Sequence, residues 1–177
     1  SVDAEAGLLP AILSAKLAGI AEKAHFVRLT VDGDGIVMRA RPELTLGGVV
    51  VEPPPGVFLQ AVPEAEQQLR ERVVAAISRA KRIADLFAGL GTFTFALARK
   101  AEVLALDGDK RASAALSPAA RHAQGLKRIE TRVRELRHDK VTQVMNGDDR
   151  RCRRWGHREI RAVNHIERTD DALERYR

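Results

Sequence analysis

Apolar side chains at Leu8, Leu9, Ile12, Leu13, Leu17 and Ile20 return at helical spacing, which predicts an amphipathic helix over residues 4–24. Phe26–Val31 and Ile36–Ala40 are β-rich runs flanking Asp32–Gly33–Asp34–Gly35. Glycines in so short a connection supply positive φ, so this stretch reads as a hairpin. Gly47–Val51 predicts another strand, stopped by Pro53–Pro54–Pro55 because proline cannot donate to a ladder. Gly56–Gln60 then leads into a long helix from Pro63 to Ala80, in which Leu69, Val73, Val74 and Ile77 keep the helical period.

From residue 82 strands and helices alternate. Arg82–Phe87, Glu102–Leu106 and Arg128–Val133 read as strands, and Thr92–Lys100 and Lys110–Gln124 as the helices between them. This alternation predicts βαβ crossovers and a parallel sheet. The expected organisation is a small α+β segment over 1–61, an α/β Rossmann-like domain over 62–137, and a basic tail over 138–177. Three strands are few for an open sheet, and the resulting free edge predicts self-association. Beyond Arg137 the pattern fails, since Arg150–Arg151–Cys152–Arg153–Arg154–Trp155 cannot form a buried element. The tail is expected to be disordered or to form one helix over Ala162–Arg177.

Composition adds two points. The 177-residue chain is 45% hydrophobic and 31% charged, enough for one domain with a real core. No apolar run reaches the ~18 residues of a membrane span, and the opening residues carry no secretory pattern, so a cytoplasmic, membrane-free protein is expected. The net charge of +6 is placed unevenly. Residues 127–177 hold 15 Lys/Arg against 10 Asp/Glu, whereas residues 1–126 hold 15 against 14. An arginine-rich tail either binds nucleic-acid phosphates or forms a solvated surface.

The stretch Ile83–Thr92 is the richest in chemistry. An apolar strand runs into a turn with Gly89 and Gly91 and then directly into a helix. Missing Cβ atoms let a ligand approach the backbone, and a helix N-terminus offers N–H groups. Sixteen residues after Gly91 the next strand ends at Asp107, where a carboxylate in a βαβ unit can accept the hydroxyls of a ribose. Together these features predict an adenosine-containing cofactor. A dinucleotide fingerprint wants a third glycine where Thr94 stands, which disfavours a nicotinamide nucleotide. Asp85 at the strand end suits the amino group of S-adenosyl-L-methionine, which has no pyrophosphate.

Pro54–Pro55–Gly56–Val57–Phe58–Leu59–Gln60–Ala61, a helix, and then Asp85–Leu86–Phe87–Ala88–Gly89–Leu90–Gly91–Thr92–Phe93 resemble the RNA uracil-5-methyltransferases, in particular the bacterial branch acting on 23S ribosomal RNA. The resemblance covers about residues 5–136. It implies a partial class I S-adenosylmethionine-dependent methyltransferase sheet, ribosomal RNA as partner, and cofactor binding by Gln60, Asp85, Phe87, Gly89, Gly91, Thr92 and Asp107. Thr92 stands where the family often has Asn, and Asp107 where it usually has Glu. Phe58 is expected to serve the core instead.

By the same resemblance, methyl transfer needs a cysteine thiolate that adds to uracil C6, because C5 alone is too weak a nucleophile. The family carries it in a Ser-Cys-Asn-Pro context preceded by Asp-Pro-Pro-Arg, and neither motif occurs in these residues. Cys152, the single cysteine, sits among arginines with no strand before it, and no catalytic residue is assigned. The five histidines show no metal-ligand spacing, so no metal is expected. Two readings remain: a methyltransferase-like chain inactive by itself, and a non-catalytic RNA-binding remnant working through its basic tail.

Overall fold

The computed structural model describes residues 2–4, 11–31, 34–59, 62–77, 80–136 and 160–163. Near the N-terminus, β1 (Val2–Ala4), β2 (Arg28–Val31) and β3 (Asp34–Met38) form one sheet, with α1 (Ala11–Lys23) between β1 and β2 in the chain. The strand at Val2–Ala4 departs from the expected helix start at residue 4. The predicted hairpin is present, since β2 and β3 are antiparallel with Val31 opposite Asp34. The expected strand at Gly47–Val51 proves to be half of a second hairpin, β4 (Leu44–Leu46) with β5 (Val49–Val51). Gly47 and Gly48 are its turn, with φ of 57° and 85°. Two successive positive φ values make a tight turn whose twist matches the strands it joins.

After α2 (Pro63–Ala76), the chain enters the main sheet through β6 (Arg82–Leu86), α3 (Thr94–Ala98), β7 (Glu102–Asp107), α4 (Lys110–His122) and β8 (Ile129–Val133). The helix expected over Thr92–Lys100 is only the five residues of α3, with turns on either side. A fourth strand, β9 (Ile160–Val163), pairs parallel with β6, which gives the order β8-β7-β6-β9. This corrects one expectation: a short piece of the basic tail is strand and not helix, and the sheet has four strands among the described residues. The remainder of the tail, including Cys152, lies outside the described residues.

That order is one half of a doubly wound sheet. The chain steps outward from β6 to β7 to β8, and β9 lies on the other flank of β6. Ligands of such sheets bind beyond the strands' C-terminal ends, where the winding reverses. Here that point is the end of β6.

Among the described residues, apolar clusters hold the sheet. One joins Leu46 and Val51 of the β4–β5 hairpin to Ala88 and Leu90 of the turn after β6, Phe95 of α3, and Ala112 and Leu116 of α4. The core is therefore continuous across the expected division at residues 61–62. Another cluster packs Ile77 at the end of α2 against Ile83, Leu97, Ala98, Ala101 and Val103, with Val73 and Val74 flanking it. Leu46, Val51, Ile83, Phe95, Leu97, Val103 and Leu116 are each at most 2% exposed. Phe58 is 80% exposed, so the expectation that it serves the core is overturned. It follows the turn at Pro55–Gly56 and stands next to Val57, which does pack against the first cluster.

Candidate functional site

β6 ends at Leu86, and the chain reverses through Phe87, Ala88, Gly89, Leu90 and Gly91 before α3 begins. The parallel register places Leu86 beside Leu106, so the turn stands next to Asp107 at the end of β7. Phe87 opens the turn at φ 60°, a left-handed conformation that costs a non-glycine residue about 1–3 kcal/mol. Its ring is half exposed at the sheet's C-terminal edge and is not part of the core.

The two glycines have different jobs. A Cβ on Gly89, at φ 55°, would stand in open space with no atom within 4 Å. A Cβ on Gly91, at φ 99°, would lie 2.6 Å from Leu116 Cδ1 and 2.7 Å from Phe95 Cε2. Gly89 thus leaves open space in front of the turn. Gly91 is buried, and its missing side chain is needed by the packing of α3 and α4, which corrects the expectation that both glycines face the ligand.

Asp107 is bound at both oxygens. Oδ2 accepts from the Gly89 N–H at 2.7 Å, and Oδ1 accepts from the Asp109 N–H at 2.7 Å. Each carboxylate oxygen keeps a second lone pair, so two hydroxyl donors can still be received. The shorter side chain has a structural consequence: it ties the glycine turn to the start of α4, whose N-cap is Asp109.

Asp85 is fully buried, and its Oδ2 accepts from Thr94 Oγ1 at 2.5 Å, with Thr94 itself fully buried. Both side chains thus lie beneath the turn and brace it, away from the surface where a ligand amino group would arrive. Sequence reasoning singled out Thr94 only as a missing glycine. The signal for its role was a hydroxyl nine residues beyond a buried carboxylate, where α3 folds back onto β6. Thr92 is half-buried between Gly91 and α3. Gln60 lies outside the described residues.

Three of the turn's backbone donors are used internally. The Gly89 N–H goes to the Asp107 carboxylate, and the Gly91 N–H to the Ala88 carbonyl at 2.8 Å. The Ala88 N–H goes to the Leu106 carbonyl at 3.0 Å. Among the described residues there is no group of three or more His, Cys, Asp or Glu able to hold a metal ion, and no helix long and apolar enough to cross a membrane.

No family model matches the chain. It is 46% identical over 109 residues to an uncharacterized RNA methyltransferase of Rhizobium meliloti, covering 62% of this chain and 26% of the relative. A protein of the same description from Mesorhizobium japonicum is 47% identical over 111 residues, covering 63% and 27%. One from Caulobacter vibrioides is 42% identical over 135 residues, covering 76% and 32%. The chain therefore spans about a quarter to a third of the length of the curated relatives it matches. Among solved structures it is similar to a tRNA (uracil-54, C5)-methyltransferase of Pyrococcus abyssi in complex with S-adenosyl-L-homocysteine. The two share 20% identity at a TM-score of 0.49, over 63% of this chain and 31% of that one. It is also similar to Trm5b of Pyrococcus abyssi, with 20% identity and a TM-score of 0.48 over 75% and 44%. Both scores lie below 0.5, and the fold assignment stands on the strand order described above.

Proposed function

We propose that this chain, homologous over most of its described length to proteins named RNA methyltransferases, is the cofactor-binding segment of an S-adenosylmethionine-dependent RNA uracil-5-methyltransferase. The observation that carries the choice of cofactor is the fate of the turn's N–H groups. A pyrophosphate needs those donors free at the glycine turn. Here the Gly89 N–H is given to the Asp107 carboxylate and the Gly91 N–H to the Ala88 carbonyl, so neither is offered to a pyrophosphate. S-adenosylmethionine has a ribose for the Asp107 carboxylate and no phosphate that would need those donors.

Within this reading Asp107 takes the ribose hydroxyls, and the Gly89 cradle admits the cofactor against the backbone. Phe87 offers an apolar ring at the edge of the site. Asp85 acts through the turn it braces with Thr94, as a positioning group that keeps Phe87 and Gly89 in place. Gln60 and Thr92 complete the proposed set. The cofactor supplies an electrophilic methyl group. The chain's own residues bind and orient the cofactor, and no residue here is assigned as the nucleophile. RNA is the substrate class that the relatives' names support, uridine the base that the resemblance implies, and ribosomal RNA the finer proposal.

Equilibrium dialysis of the full chain against labelled S-adenosylmethionine and, separately, labelled NAD tests the choice. Retention of the first and not the second is expected. Retention of NAD alone would overturn it.

A further inference from the structure

A large cleft among the described residues lies away from the glycine turn. It has a volume of about 1060 Å³ and runs between the β2–β5 region and the outer face of α4. It exceeds the roughly 300–1,000 Å³ typical of a small-ligand pocket, and the imidazole of His122 is the one aromatic ring among its described lining. Its charged lining is four arginines, Arg28, Arg41, Arg99 and Arg111, against two glutamates, Glu43 and Glu52.

Arg28 is the unusual member. It sits on β2 and is 4% exposed, yet no carboxylate lies within ion-pairing distance among the described residues. Its Nη1 donates to the Pro53 carbonyl at 2.7 Å, while its buried Nε–H finds no acceptor among those residues. A buried cation held by a neutral carbonyl costs several kcal/mol, on the order reported for unpaired buried ions, unless an anion compensates it. At the cleft's rim Arg41 and Arg111 are mostly exposed. Their partners, Glu52 at 3.8 Å and Asp109 at 3.7 Å, are long surface contacts of little strength.

We infer that this cleft is a binding groove for the sugar–phosphate backbone of single-stranded RNA, with one phosphate compensating Arg28 and further phosphates held by Arg41, Arg99 and Arg111. The inference rests on RNA being the substrate class proposed above and adds a surface separate from the cofactor site. Several fork-shaped cations along a wide cleft suit a repeating anion better than a single small one. Its cations recognise the backbone, and among the described lining only His122 offers an aromatic ring for a base to stack on.

The test is fluorescence anisotropy of the full chain with a labelled 20-nucleotide uridine-containing RNA over a range of KCl concentrations. Arg41→Gln with Arg111→Gln removes two exposed cleft cations. Lys23→Gln with Arg72→Gln removes two exposed cations elsewhere and keeps the net charge matched. The cleft pair is expected to weaken binding roughly tenfold near 0.1 M salt and to lower the salt slope by about 1.4, at about 0.7 per lost phosphate contact. The control pair is expected to stay within about twofold. Equal effects of the two pairs, or no effect of the cleft pair, would overturn the inference. Titration of the same samples with S-adenosylhomocysteine separates the two proposals: unchanged cofactor affinity with unchanged RNA affinity sinks the groove and leaves the methyltransferase reading standing.

Discussion

Replacing Gly91 by alanine should cost far more stability than the same change at Gly89, although both glycines have positive φ in one turn. At Gly91 the new methyl group would come 2.6 Å from Leu116 Cδ1 and 2.7 Å from Phe95 Cε2. Both neighbours are at most 1% exposed and have nowhere to retreat. Overpacking a filled core costs about 1–3 kcal/mol, and holding alanine at φ 99° adds about 1–2 kcal/mol. The sum, about 2–5 kcal/mol, is a large share of the roughly 5–15 kcal/mol that holds a domain folded. At Gly89 only the backbone cost applies, about 1–2 kcal/mol, because its methyl group would enter open space. Urea unfolding followed by far-ultraviolet circular dichroism reads both, as midpoints compared at a shared slope. The ligand response should run the other way, since a methyl on Gly89 stands in the cradle proposed for the cofactor. Equal midpoints for the two variants would refute the division of labour between the glycines.

Thr94→Val keeps the shape of the side chain but removes the donor to the buried Asp85 carboxylate, and should lower stability by about 1–3 kcal/mol; Thr94→Ser should recover most of the loss in a thermal melt. Phe58→Ser should move the melting free energy by no more than about 0.5 kcal/mol, since the ring is 80% exposed; a loss near the several kcal/mol of a core phenylalanine would contradict its placement. The 177-residue chain by itself should not methylate a uridine-containing RNA, because Cys152 lacks the motif that the nucleophile needs; transfer of labelled methyl by pure protein is the opposing result.

How far the sequence reached depended on whether a feature was local. The βαβ alternation was legible because the buried parallel strands are apolar runs, Val103–Leu106 without a break and Ile83–Leu86 interrupted only by Asp85. The nearness of Asp107 to the glycine turn followed from that topology, and the structure adds a direct bond to Gly89. Other features depend on tertiary neighbours. Nothing local shows that Gly91 faces Leu116 while Gly89 faces open space. Nothing shows that Phe58, apolar and flanked by Val57 and Leu59, stays exposed. β4 was missed because Leu44–Leu46 is three residues long and gains its strand character only by pairing with β5. β9 was missed because Ile160–Val163 carries an arginine in a basic stretch, and its partner β6 is about 75 residues earlier in the chain. Nothing local shows that Arg28 is buried, yet all four residues of β2 are.

The most direct test of the central claim is calorimetric titration of the full chain with S-adenosylhomocysteine, comparing wild type with Asp107→Ala. The variant removes the ribose acceptor and with it the carboxylate that ties the Gly89 and Asp109 N–H groups together. Binding by the wild type and its loss in the variant is the predicted result. A folded wild type that takes up no S-adenosylhomocysteine, or a variant that binds it equally well, would contradict the account.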